Sequence, residues 1–131
     1  PNPEQYVFRG RDLTPIFSDP TASVQDAILF TFDDQRAGNV SNPEPVPQPN
    51  HIHCIVEKGW KYARYYDPHD ASAVEYEMYD LTNDPTEIKN LAGQADYTDQ
   101  EKILLAKLDR IVEERLAPVD SSSVSDSDRY K

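Results

Sequence analysis

Residues 27–32, AILFTF, form a nearly continuous apolar and aromatic run of strand length, closed by Asp33 and Asp34. Such a run suits a buried strand better than a helix. Two further strand-like runs, HIHCIVE at 51–57 and WKYARYYD at 60–67, flank Lys58-Gly59. A two-residue connection with glycine where positive φ is needed predicts a hairpin. Its register sets Val56 against Lys61, Cys54 against Ala63 and Ile52 against Tyr65, with Ile55 facing Tyr62 and His53 facing Arg64 on the alternate side. The more apolar row, Ile52, Cys54 and Val56, is the expected core side. After a polar turn at 67–73, residues 75–81 alternate acidic with apolar or aromatic positions and supply a fourth strand.

Helical signals follow. Asp84 with Pro85 next and Glu87 three residues on predicts a short capped helix ending near Leu91. Thr98 and Glu101 repeat the capping-box spacing, and Leu104, Leu105, Leu108, Ile111, Val112 and Leu116 share one face of a long helix. Pro118 closes it. The chain is therefore expected to be α+β: a small four-stranded antiparallel sheet with one long C-terminal helix packed on it, plus long loops.

The remaining stretches lack periodicity. Residues 1–26 carry Gly10, Pro15 and Pro20 and read as an irregular connector with about one helical turn near 13–17. Residues 35–50 hold four prolines, which exclude a ladder or helix, so this is a long loop within a subdomain spanning 27–117. Residues 118–131 are serine-rich and polar, as in a disordered tail.

Composition narrows the function. A net charge of −11 over 131 residues argues against nucleic acid and anionic membrane surfaces as partners. No apolar run is long enough to span a bilayer, and PNPEQYVFRG lacks the pattern of a signal peptide, although a targeting segment upstream of Pro1 is compatible with the sequence. With Cys54 the single cysteine, no internal disulfide can form and the compartment stays undetermined.

No local signature of nucleotide, zinc or serine-hydrolase chemistry occurs, and no residue is assigned a catalytic, cofactor-binding or metal role. The candidate site is His51, His53 and Arg64. Two imidazoles on one side of a strand, with a guanidinium opposite, would make a donor-rich patch for sulfate or phosphate, with residues 35–50 as its lip. The plainer alternative has both histidines half-exposed and Arg64 paired with Glu75 or Glu77. A metal at His51 and His53 needs further ligands, for which only His69 or nearby carboxylates are at hand. Cys54 points away from the histidines and reads as core, and the many tyrosines read as sheet packing rather than a ligand platform.

EYEMYDLTNDPTEIKNLA at 75–92, together with GWKYARYYD at 59–67, resembles the C-terminal part of the sulfatase family, within the alkaline-phosphatase-like superfamily. The matching positions are Tyr76, Met78, Tyr79, Asp80, Leu81, Asp84, Pro85, Glu87, Asn90, Leu91 and Ala92. GRDLTPIF at 10–17 and AILFTFDD resemble the family's connector and following strand. The resemblance implies hydrolysis of sulfate esters by a formylglycine beside a calcium ion, both in an N-terminal catalytic domain that this chain lacks. Cys54, followed by Ile55, Val56 and Glu57, breaks the C/S-x-P-x-R motif. The chain alone is thus expected to be inactive, to hold no cofactor, and to complete the pocket for a sulfated small molecule or saccharide while packing its sheet on the catalytic domain. The alternatives are a stand-alone binding or scaffold module of the same fold, or the same part of a phosphate or phosphonate ester hydrolase.

Overall fold

A computed structural model describes residues 10–33 and 51–116. The expected lip at 35–50 and tail at 118–131 lie outside the described residues. A five-residue helix α1, Thr14–Ser18, sits where one turn was expected. Four strands follow, β1 at Ala27–Asp33, β2 at His51–Glu57, β3 at Trp60–Asp67 and β4 at Asp70–Asp80, and then the long helix α2 at Thr98–Leu116. The strands pair antiparallel in chain order, β1-β2-β3-β4.

The Lys58-Gly59 turn sets the β2–β3 register as its sequence requires, with Val56 opposite Lys61, Cys54 opposite Ala63, Ile55 opposite Tyr62 and His53 opposite Arg64. Gly59 sits at φ 81°, and a Cβ there would come within 2.8 Å of Thr82 Oγ1. Both the backbone angle and the crowding demand glycine. β4 begins earlier than expected. The turn is confined to Pro68-His69, and an irregularity at Tyr66/Asp67 lets Asp70 pair back on Asp67.

The core lies on the face opposite to the one expected. Ile55, Tyr62 and Met78 from three neighbouring strands are fully buried against Leu104, Leu108 and Ile111 of α2. Alternation puts Ile52, Cys54 and Val56 on the other side. Cys54 is buried there, but Ile52 and Val56 are only half-buried. Both rows of β2 are apolar enough to serve as core, and the row that includes the histidines was taken by the helix because β3 and β4 contribute Tyr62 and Met78 to it. On the uncovered face β1 exposes Ile28 at 57%, Phe30 at 54% and Phe32 at 42%.

Residues 84–91 form turns instead of the expected capped helix. Glu87 has φ 57°, a left-handed conformation that no right-handed helix accepts. Its carboxylate, meant for a capping box, instead takes Lys61 Nζ at 2.5 Å, while Asp84 Oδ2 accepts the Lys89 N–H at 2.8 Å. The segment then lines the outer edge of β4. Asn90 Oδ1 accepts the N–H groups of Met78 and Ala92, each at 3.0 Å, and its amide donates to the Tyr76 carbonyl at 3.0 Å. Leu91 N–H donates to the Met78 carbonyl at 2.8 Å, and the Leu91 side chain enters the core. Edge groups of β4 that would otherwise face water are thereby satisfied.

The α2 start also departs from the simple box. Thr98 is already helical and its hydroxyl donates to the Ala95 carbonyl at 3.0 Å, from a short 3-10 turn over Ala95–Tyr97. Glu101 accepts from Gly93 N–H at 2.9 Å instead of closing onto Thr98. Along α2, Leu105 and Val112 pack against the core as expected, whereas Leu116 remains exposed.

Candidate functional site

The β strands bring His51, His53 and Arg64 to one face at the end of the sheet where β1 runs out and β2 begins. Both histidines point to the α2 side, because residues two apart on a strand share a face. His51 Nδ1 lies 2.6 Å from Asp33 Oδ1, directly across the β1–β2 ladder. His53 is buried at 7% exposure, and its Nε2 shares a hydrogen bond of 3.1 Å with the Tyr66 hydroxyl. Its Nδ1 is sealed without a partner among the described residues. The Tyr66 ring packs on both imidazoles, with centroids 5.3 Å from His51 and 4.9 Å from His53, and Arg64 lies over it at 5.9 Å.

Arg64 does not pair with Glu75 or Glu77. Its Nη1 donates to Asp109 Oδ1 on α2 at 2.7 Å, while Glu77 accepts the Tyr65 hydroxyl at 3.0 Å. Opposition to Tyr76 on β4 and to His53 on β2 sends Arg64 toward the helix, where Asp109 is the available carboxylate. His53 is also more deeply buried than a half-exposed strand residue. Burial lowers the proton affinity of its imidazole below the ordinary value, and the positive Arg64 opposite adds to that effect. Burial likewise raises the Tyr66 phenol, with Asp33 contributing.

The cluster is therefore less cationic than the bare sequence suggests. Arg64 is neutralised by Asp109, the Nδ1 of His51 is occupied by Asp33, and His53 resists protonation. The sequence reading missed Asp33, Tyr66 and Asp109. Asp33 carried a signal, since it ends the first apolar run, but the Asp33-Asp34 pair reads as a solvated strand end. Asp109 lies 45 residues from Arg64, beyond any local pattern.

Among the described residues no group of three or more His, Cys, Asp or Glu side chains is placed to hold a metal ion. Cys54 is a buried thiol in mid-strand, on the face away from the histidines, and burial raises its pKa. Neither a calcium site nor a formylglycine fits the residues that are described. Tyr62 stacks on Tyr76 at 5.9 Å, and the Tyr62 hydroxyl reaches Glu101 at 3.5 Å, so this pair belongs to the packing of the sheet. No helix of the described residues is long and apolar enough to cross a membrane.

The described residues form a four-stranded antiparallel meander backed by one long helix, with a polar corner at one end of the sheet. The family model described as N-sulphoglucosamine sulphohydrolase, C-terminal, matches residues 3–114, and the chain belongs to that family. No curated protein matches the chain. Among solved structures, BT4656 in complex with its substrate D-glucosamine-2-N,6-O-disulfate is similar at 23% identity over 87% of this chain, with a TM-score of 0.59. The phosphonate monoester hydrolase of Agrobacterium radiobacter is similar at 20% identity over 69% of this chain, with a TM-score of 0.51. These likenesses concern the fold. The chain spans 20% and 17% of the lengths of those two proteins.

Proposed function

We propose that this domain works joined to an N-terminal catalytic domain that hydrolyses sulfate esters, and that it completes the substrate pocket with the corner around His51, His53 and Arg64. Formylglycine and calcium would be supplied by that catalytic domain, as the resemblance to the sulfatase family implies. The substrate is a sulfated small molecule or saccharide, and a sulfated amino sugar is favoured by the name of the matched family and by the ligand of BT4656.

The observation that favours joining to a catalytic domain over a stand-alone module is the row Ile28, Phe30 and Phe32, on the face opposite to the one that carries the His51 corner at the end of the sheet. Three large apolar side chains project from one strand on the sheet face that α2 leaves open. A contiguous apolar row of this kind marks an interface rather than a finished surface. In the two similar structures the matched part is a fifth or less of the length, which leaves room there for a larger domain against such a face.

A second reading, phosphonate or phosphate ester hydrolysis, is favoured by the likeness to the phosphonate monoester hydrolase. Both are tested by assaying the protein that contains this domain together with its catalytic domain against a glucosamine N-sulfate, a sugar 6-O-sulfate and a phosphonate monoester. Release of inorganic sulfate is expected. Turnover of the phosphonate ester alone would replace the first reading with the second, and absence of a C/S-x-P-x-R motif upstream would sink both.

A further inference from the structure

The polar corner can be asked which part of a substrate it suits. Asp33 Oδ1 at 2.6 Å accepts the proton on His51 Nδ1, so in the neutral ring Nε2 carries the lone pair. Among the described residues, none bonds that Nε2. The ring cannot readily turn its other edge outward, because Tyr66 packs against it and is itself tied to His53 Nε2 at 3.1 Å. Among the described residues, Asp33 and Asp109 set two carboxylates against the one guanidinium of Arg64. A surplus carboxylate disfavours an anion, and an imidazole lone pair accepts a hydrogen bond.

From this geometry we propose that the corner recognises an uncharged, hydroxyl-bearing part of the substrate, not its sulfate, with His51 Nε2 accepting the hydroxyl proton and Asp33 and Tyr66 acting as positioning residues. The inference rests on the proposed pocket role of this corner. Arg64 is withdrawn from ligand binding and holds α2, and His53 supports Tyr66 from beneath. Asp33 sets which imidazole nitrogen is free, a role that requires its carboxylate, whereas an amide in its place could donate and let the opposite tautomer form. Tyr66 sets the tilt of the ring.

The test uses the two-domain protein at pH 7.5, with a sulfated sugar, its deoxy analogues lacking one free hydroxyl each, and inorganic sulfate as a competing anion. His51→Ala is expected to raise KM about tenfold for the sugar, the size of one neutral hydrogen bond, and to cause no further loss with the one deoxy analogue that has already lost that contact. His51→Gln, which keeps an acceptor, should recover part of the affinity. Asp33→Asn and Tyr66→Phe should raise KM for the sugar more than for that deoxy analogue, a selectivity that general loosening of the fold would not produce. Inhibition by sulfate should be unchanged in all four variants. Weaker sulfate inhibition in His51→Ala, or tighter inhibition in Asp33→Asn with no loss of hydroxyl selectivity, would make the corner an anion site and overturn the inference while leaving the pocket role intact. If all four folded variants bind sugar, analogues and sulfate like the wild type, the pocket role itself fails, and the inference with it.

Discussion

Arg64 on β3 and Asp109 on α2 meet at 2.7 Å across the sheet–helix interface. The pair draws off the guanidinium that a reading of β3 alone would offer to an anionic ligand. It also ties the middle of α2 to the sheet beside the buried His53.

That pair should contribute modestly to stability. Asp109 is more than half exposed, so water and salt screen the interaction. Asp109→Ala is expected to destabilise by about 0.5–1 kcal/mol in urea unfolding, with the difference shrinking at high salt. A loss of several kcal/mol would mean that Asp109 has a further structural role.

Leu108 is fully buried between α2 and the sheet. Leu108→Ala should cost about 3 kcal/mol, within the usual range for a buried leucine, whereas Ile103→Ala on the exposed side of the same helix should cost under about 1 kcal/mol. Thermal melting of the two variants separates these outcomes. Equal effects would contradict the assigned helix face.

Asn90 satisfies three backbone groups along and beyond β4. Asn90→Ala leaves the Met78 and Ala92 donors and the Tyr76 acceptor short of a partner and is expected to destabilise by about 1–3 kcal/mol. Hydrogen exchange should speed up first at the Met78 amide. Unchanged protection there would show that the edge is closed by other contacts.

His53 makes stability depend on pH. Its folded-state proton affinity is lowered, chiefly by burial, so the unfolded chain takes up a proton at about pH 6.5 while the folded chain still refuses it. The unfolded state then binds more protons, and stability falls as pH drops below about 6.5. Above that value the contribution is constant. Urea midpoints at pH 7.5 and 5.5 should differ more for the wild type than for His53→Gln, and equal differences would remove His53 as the source.

Much of this fold is legible in the sequence because the signals are local. Lys58-Gly59 specifies a tight turn, and the β2–β3 register follows from it residue by residue. The repeat from Leu104 to Val112 can only be a helix face. The choice of sheet face was not legible, since Ile52, Cys54 and Val56 outrank His51, His53 and Ile55 in hydrophobicity. What decided it was the match of Ile55 with Tyr62 and Met78 across three strands. At 84–91 the capping pattern was genuine but overridden: Asp84 still caps backbone N–H groups, yet Glu87 turns left-handed and pairs with Lys61, and Asn90 and Leu91 join β4. The grouping of His51, His53 and Arg64 was legible from the hairpin register, which also sets His51 opposite Tyr66, whereas Asp109 comes to Arg64 only through the packing of α2 on the sheet.

In the proposed arrangement the sheet face that α2 leaves open, with Ile28, Phe30 and Phe32, is covered by a catalytic domain. Hydroxyl-radical footprinting of the two-domain protein tests it directly, by comparing Phe30 and Phe32 on β1 with Ile103 on the exposed side of α2. Phe30 and Phe32 are expected to be protected while Ile103 is labelled as freely as its exposed position allows. Labelling of Phe30 and Phe32 at the rate of fully exposed phenylalanine would contradict the account.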